Sequence, residues 1–368
     1  MCKYFALAMI KSIKINICGL VMLLLLSILS LSCRRADEYI VISGYAQGGT
    51  YAVKLNLYGR EGRLKQSPEE IRDSVDAILL RIDRSLSGYN KGSLLSRLNA
   101  GETIRPDELL IDIYGRSYEI YESTSGAVDV ASGPLFDLWG FGFSNGDFPD
   151  DGRVKSVKES CGMSRLKSLM ADALNGDQLL SPSGLLKTGE GAAPVLNFNA
   201  VAQGYSCDKV AEYLYSIGVK DMLVDIGEFF CDGLNPSGKP WTIGIDSPID
   251  GNNQAGAMLQ GVFRAPEGPH GIVTSGNYRK FYVRDGKKYA HTIDPRTGYP
   301  VSHSLLSATV VAEDAMTADA YATYCMVLGL EESKAFLESS ENLEGCLIYD
   351  EEGSMKVWCS SGFVLEEI

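Results

Sequence analysis

The sequence predicts an α+β protein of mixed strands and helices, and three stretches carry that prediction. Residues 41–59, VISGYAQGGTYAVKLNLYG, alternate apolar and polar side chains around Gly48-Gly49, the pattern of one or two half-buried strands. Ile71, Val75, Ile78, Leu79, Ile82 and Leu86 instead recur at three- and four-residue steps, which puts them on one buried face of a helix. KFYVRD (280–285) and KKYAHTID (287–294) read as a tight hairpin, because Asp285-Gly286 supplies the positive φ that a two-residue turn requires.

The chain has 368 residues, enough for one large or two modest domains with a sizeable core. Its hydrophobic content of 45% and charged content of 22% are those of an ordinary globular protein, without repeats or low-complexity tracts. The net charge is −13, and the first 32 residues hold three lysines and no acid, so the remainder is more acidic still. Such a surface repels nucleic acid, and no run of lysine and arginine offers a local patch for phosphates.

Lys3, Lys11 and Lys14 precede an apolar run over 17–31, the charged-then-apolar order of a secretory signal. A transmembrane helix needs about 20 apolar residues, and this run is shorter. The stretch Leu29-Ser30-Leu31-Ser32-Cys33 resembles a bacterial lipoprotein signal, with Ser30 where leucine is usual. The resemblance implies cleavage after residue 32, a lipid on Cys33, a tether over 33–39 and a globular domain over 40–368. The protein would then be exported and anchored to a membrane, facing the periplasm. A plain signal peptide or an uncleaved anchor is the alternative. Six further cysteines, at 161, 207, 231, 325, 346 and 359, permit fifteen disulfide pairings among which the sequence does not choose. No CxxC pair suggests a zinc site, and cysteines among apolar neighbours, such as Cys325, read as buried free thiols.

Taken in order, Ser67-Pro68-Glu69-Glu70 opens the first helix with a capping box and a proline at its first position. SGYNKGSLLSRLN follows as a loop and a short helix. A second amphipathic helix covers 109–121, with Leu109, Leu110, Ile113, Tyr114, Ser117 and Tyr121 on one face and Ser125-Gly126 as its stop. The stretch 126–142 is rich in glycine yet carries Leu135, Phe136, Trp139 and Phe141, which must be buried in a core or wall a pocket. Residues 142–194 turn polar and irregular and read as peripheral loops.

The next block, 195–233, reads as a strand, a turn at Asn199-Ala200, a helix from about Gln203-Gly204 to Gly218 and a returning strand MLVDIG. A strand-to-helix turn presents unpaired N–H groups and the positive end of the helix dipole, which suits a phosphate. WTIGIDSP adds a strand, and Thr274-Ser275-Gly276-Asn277 reads as a polar loop able to offer hydroxyls and N–H groups to an anion. The hairpin strand then delivers His291 and Asp294 to a stiff Pro295-Arg296-Thr297-Gly298 turn. SATVVAED is a strand, Thr317 starts a helix ending at Gly329, and CLIYD with MKVWCS forms a last hairpin around Glu352-Gly353. Asp319 and Thr323 lie four apart on one helical face, where a carboxylate and a hydroxyl can share an oxygen-liking cation such as Mg²⁺. His270 and His303 read as surface residues, since no third ligand sits at metal spacing.

These blocks together resemble the ApbE family, FAD:protein FMN transferases that are exported bacterial enzymes. The resemblance rests on Ser87-Gly88-Tyr89 with 93–99, on GAVD and GPLFDLWGFG within 126–142, on AQGYSCD at 202–208, on TSGNYR, on HTIDPRTGYP and on TADAYAT at 317–323. It implies an α+β fold with FAD in a cleft between a larger core and a smaller lobe. It implies that Asp319, Thr323 and the Ala200 carbonyl bind Mg²⁺, and that Tyr89, Ala127, Val128, Asp129, Asn197 and Gln203 contact FAD. His291 and Asp294 would line the reacting pyrophosphate, with His291 accepting the proton of the attacking hydroxyl. The implied acceptor is a threonine or serine in a D-x-x-[ST]-G-[AT] motif on a subunit of a membrane redox complex, with AMP as the leaving group. Two positions depart from the family pattern: Gln203 stands where lysine is common, and Gly227-Glu228-Phe229 shortens a G-G-D/E motif. Hydrolysis of FAD to FMN and AMP is one alternative, and a flavin-carrying lipoprotein without chemistry is another. A purely structural envelope lipoprotein leaves the polar blocks unexplained.

Overall fold

Eight antiparallel strands cross the main sheet in the order in which the chain makes them: Tyr39–Ala46, Gly49–Asn56, Met222–Asp225, Phe229–Asp232, His270–Gly276, Leu305–Ala312, Glu344–Glu351 and Ser354–Cys359. The computed structural model describes residues 37–141, 149–168, 179–249, 251–252, 254, 256–277, 281–284, 287–290 and 292–368, with 281–284 and 287–290 as backbone. Residues 39–368 form one compact unit. The predicted signal over 1–32 lies outside the described residues, as do Cys33 and most of the tether. Among the described residues no helix is long and apolar enough to cross a membrane.

Turn chemistry sets the hairpins. The first pairs Tyr39 with Asn56 through Ala46 with Gly49, and the two turn residues are Gln47 at φ 53° and Gly48 at φ 81°, so the tip sits one residue earlier than the Gly-Gly step. The last turns at Glu352 and Gly353, both in the left-handed region, as read from the sequence. The 281–284 and 287–290 strands pair Phe281 with Ala290, as predicted for that hairpin.

The long connections cover the sheet. Helix Pro68–Leu86 starts with both halves of the predicted capping box: Glu70 N–H donates to Ser67 Oγ at 3.2 Å, and Ser67 N–H donates to Glu70 Oε2 at 2.8 Å. It buries Ile71, Val75, Leu79, Ile82 and Leu86. Helix Glu108–Ser123 buries Leu110, Ile113, Tyr114 and Ser117, then ends before Ser125 and Gly126, both at positive φ. Successive residues of the central strands face opposite layers. Val273, Val310 and Leu347 pack with Ala318, Ala322 and Cys325 of helix Ala315–Leu328. Ile272, Val311 and Cys346 pack with Trp241, Ile243, Phe263 and Phe363 beneath a three-stranded sheet built on Thr242–Asp246 and Leu259–Arg264.

Five sequence readings change. Residues 195–198 are not a strand; side-chain and loop hydrogen bonds hold them instead of a ladder. Thr274, Ser275 and Gly276 lie inside a strand rather than a loop, because each finds a register partner in Leu305–Ala312. The helix near Thr317 begins at Ala315, where the Asp314 side chain accepts the Thr317 N–H as a cap. The described parts of 142–194 are not peripheral: Met163, Leu166, Leu185 and Leu186 are buried with Leu110, Ile113 and Tyr114, and polar composition hid these few apolar anchors. His270 and His303 are also half-buried rather than surface residues, and His303 Nε2 lies 2.9 Å from the Met326 carbonyl.

Candidate functional site

Side-chain-to-backbone contacts weld together the blocks that the sequence separates. Asn99 reads the backbone of Leu196 in both directions, donating to its carbonyl at 2.8 Å and accepting its N–H at 2.9 Å. Asn197 N–H in turn donates to the Val130 carbonyl at 2.7 Å, which seats Asn197 next to the 127–130 segment. Trp139 Nε1 donates to the Gly298 carbonyl at 2.8 Å, and its ring lies 5.7 Å from that of Tyr299. The buried aromatic of one block thus clamps the Asp294 turn of another. That turn closes as predicted, with Gly298 at φ 86° donating its N–H to the Asp294 carbonyl at 2.7 Å.

Two helix starts meet at the centre. Helix Ala202–Ser216 has no side-chain cap of its own, and Gly204 N–H donates to Asp319 Oδ2 at 3.1 Å. Asp208, one turn further along the same helix, accepts the N–H groups of Ala315 at 2.7 Å and Met316 at 2.9 Å. Each helix is therefore capped by a carboxylate from the other, which satisfies orphan donors and places negative charge at positive dipole ends. The helices approach so closely that a Cβ at position 204 would overlap the Ala315 carbonyl, so glycine is required there. Asp208 belongs to a block singled out in the sequence, but its capping role and its ion pair with Arg116 have no local sequence signal.

Burial dominates the electrostatics. Asp319 is 6% exposed, and desolvation pushes its carboxyl up to about 8, with the nearby Asp208 charge adding to the effect. Desolvation likewise raises Asp208 to about 7, helped by Asp314 and opposed by Arg116 3.8 Å away. Asp129 rises to about 6 through burial, although its carboxylate accepts the Ala131 and Met163 N–H groups. Those bonds pin the 161–166 segment, a role the sequence did not suggest.

The remaining predicted residues fall as follows. Thr323 Oγ1 lies 3.5 Å from Ser275 Oγ, one helical turn beyond Asp319. Ala200 sits in the turn that leads into helix Ala202–Ser216, whose Gly204 N–H meets Asp319. Gln203 Nε2 donates to the Ile226 carbonyl at 3.1 Å, against the shortened Gly227-Glu228 motif. Ala127 and Val128 are buried, and Asn197 Oδ1 accepts the Asn199 N–H at 2.9 Å. Asp294 accepts from Arg296 N–H and Arg296 Nε, each at 2.9 Å. Tyr89 is 68% exposed on the loop before helix Leu94–Asn99. His291 lies outside the described residues.

The donor set fits Mg²⁺. The implied set is one buried carboxylate, one hydroxyl and one carbonyl; among the described residues no cluster of three or more His, Cys, Asp or Glu side chains could hold a metal ion. Mg²⁺ takes few protein carboxylates and keeps positions for water and phosphate oxygens. A groove of about 550 Å³ lined by Arg60, Arg116, Asp208, Tyr215, Phe230 and Asp314 contains none of the residues implied for FAD.

The family model described as "ApbE family" matches residues 48–347. The chain belongs to the ApbE family. It is 33% identical over 335 residues to the FAD:protein FMN transferase of Escherichia coli strain K12, covering 89% of each chain. It is 32% identical over 339 residues to the enzyme of the same name from Haemophilus influenzae, covering 90% of this chain and 92% of that one. Among solved structures, the flavin transferase ApbE from Vibrio cholerae superposes with a TM-score of 0.72 at 29% identity, over 88% of this chain and 98% of the other. The apo Pseudomonas stutzeri flavinyl transferase ApbE gives the same TM-score and identity over 88% and 95%. The welded blocks are thus those of an ApbE chain, and its α+β fold is the family's.

Proposed function

We propose that this ApbE chain transfers the FMN half of FAD to a hydroxyl of a target protein. The observation that carries the reading is the junction of the Ala200 turn, Gly204 and Asp319, where helix N-termini and a buried carboxylate meet. A diphosphate suits such a place when Mg²⁺ offsets the carboxylate, because the helix dipole ends favour its charge.

The step balances as one phosphoryl transfer. The threonine or serine oxygen of a D-x-x-[ST]-G-[AT] segment forms a bond to the FMN-side phosphorus, the pyrophosphate P–O bond breaks, and AMP departs. His291 takes the hydroxyl proton, its ordinary pKa near neutrality suiting it to that work. Asp294 is a positioning residue on a turn held by Trp139. Asp319, Thr323 and the Ala200 carbonyl hold Mg²⁺, which when bound offsets charge on the phosphate oxygens. Tyr89, Ala127, Val128, Asp129, Asn197 and Gln203 form the FAD contacts. The chain is exported by its 1–32 signal and anchored in the bilayer through a lipid on Cys33, over a 33–39 tether to the 40–368 domain. There it meets an acceptor subunit of a membrane redox complex.

The test mixes protein lacking residues 1–33 with FAD, Mg²⁺ and a domain bearing the acceptor motif, then reads intact mass and AMP. FMN gained by the acceptor with one AMP released per label is the expected result. AMP released without label would replace the proposal by hydrolysis, and FAD bound with neither product would replace it by a carrier role.

A further inference from the structure

Cys346 and Cys359 are direct cross-strand partners in the last hairpin of the main sheet. Ser360 N–H donates to the Gly345 carbonyl at 2.9 Å, and antiparallel ladder bonds alternate, so the Cys346/Cys359 step is of the non-hydrogen-bonded type. In such a pair the Cα atoms stand about 4.5 Å apart with side chains on one face, inside the range a disulfide spans. Both side chains belong to the layer beneath the three-stranded sheet. Each thiol is also the largest influence on the other's titration, as facing groups on one side of a hairpin would be.

We propose that Cys346 and Cys359 are a disulfide pair, closed by a thiol–disulfide oxidant such as oxidised glutathione and stapling the edge strand Ser354–Cys359 to its neighbour. The other described cysteines lack such a partner: Cys231 pairs in register with Leu223 and His270, and the Cys207 thiol donates to the Glu228 carbonyl at 3.1 Å. Of the fifteen pairings open to the sequence, register selects this one.

Access orders the two steps. Cys346 is fully buried, whereas Cys359 is partly exposed, and the facing Cys346 thiol holds the Cys359 thiol below its usual range. The Cys359 thiolate attacks one sulfur of oxidised glutathione and releases the first glutathione thiol. Cys346 then loses its proton and attacks the Cys359 sulfur, releasing the second. Two electrons pass from the cysteines to glutathione, and two protons end on its thiols.

The full-length protein is equilibrated with oxidised or reduced glutathione, acid-quenched, alkylated and digested without reductant, and its cysteine peptides are mapped by mass. The expected result is a linked Cys346–Cys359 peptide pair, two hydrogens lighter than the separate peptides, with Cys161, Cys207, Cys231 and Cys325 alkylated. Oxidation should also raise Tm by roughly 3–8 °C, a rise that reductant and Cys359→Ser both abolish. Alkylation of both residues in oxidised glutathione, a stable glutathione adduct on Cys359, or a bridge to another cysteine would overturn the proposal. The mapping uses the unaltered chain, so it decides the matter even where Cys359→Ser folds poorly.

Discussion

Gly204 donates its backbone N–H to the Asp319 carboxylate at 3.1 Å, so a candidate metal ligand on one helix also caps the start of another. The two roles separate by substitution. Asp319→Asn keeps an oxygen for the Gly204 N–H but loses the charge that a cation needs. It should fold, lose transfer by on the order of 100-fold or more, and no longer gain Tm from Mg²⁺. Asp319→Ala removes the cap as well and should melt lower than Asp319→Asn. Acceptor labelling and thermal melts with and without Mg²⁺ check both, and an active Asp319→Asn enzyme would remove Asp319 from the metal site.

The same burial sets a pH dependence. Asp319, Asp208 and Asp129 are raised from 3.8 to about 8, 7 and 6. A carboxyl with a raised folded pKa holds its proton longer when folded, so its stabilisation is complete below the unfolded value and is lost as pH rises through the folded one. Asp112 and Asp314 are held low, so their contribution disappears only on the acid side of the ordinary carboxylate range. The metal-free protein should therefore melt progressively lower from about pH 5 to pH 8, and Mg²⁺ should restore Tm most at the upper end, where it competes with the proton on Asp319. Melting curves in chelator across that window test the sign.

The Trp139 clamp links packing to chemistry. Trp139→Phe keeps most of the buried ring but deletes the bond to the Gly298 carbonyl, at a cost of about 1–3 kcal/mol for a buried acceptor left without its donor. Freed of that tie, the Asp294 turn should hold substrate less well. Transfer is expected to fall about 10-fold at an acceptor concentration that saturates the unaltered enzyme. A variant with lowered Tm and unchanged kcat would show that the clamp serves the fold alone.

Legibility followed the range of each interaction. The Ser67 capping box, the Glu352-Gly353 turn and the buried face of helix Pro68–Leu86 depend on residues a few positions apart, and the sequence displays them. The placement of Asp319 and Thr323 on one face is local in the same sense. What joins them to the rest is not. Asp208 caps a helix 107 residues away, and Asn99 holds Leu196 across 97 residues, so neither bond leaves a trace in its own neighbourhood. The 195–198 segment reads like a strand because Leu196 and Phe198 alternate into the core, but loop and side-chain partners elsewhere take the place of a ladder.

Gln203 tests how far the family pattern can be restored. Its amide nitrogen donates to the Ile226 carbonyl at 3.1 Å, a neutral bond where the family commonly places a charged lysine. Lysine at 203 can donate to the same carbonyl and adds a positive charge beside the turn that suits a diphosphate. Charge-assisted bonds are roughly twice as strong as neutral ones, so Gln203→Lys should lower KM for FAD about 3- to 10-fold with little change in kcat. Because the gain is electrostatic, it should shrink as salt rises from about 50 mM toward about 1 M, where the Debye length falls to about 3 Å. Steady-state rates against FAD concentration at two salt levels read this directly. An unchanged KM at low salt would mean that Gln203 is committed to the Ile226 carbonyl and stands apart from the phosphates, leaving the helix N-termini and Asp319 to hold FAD.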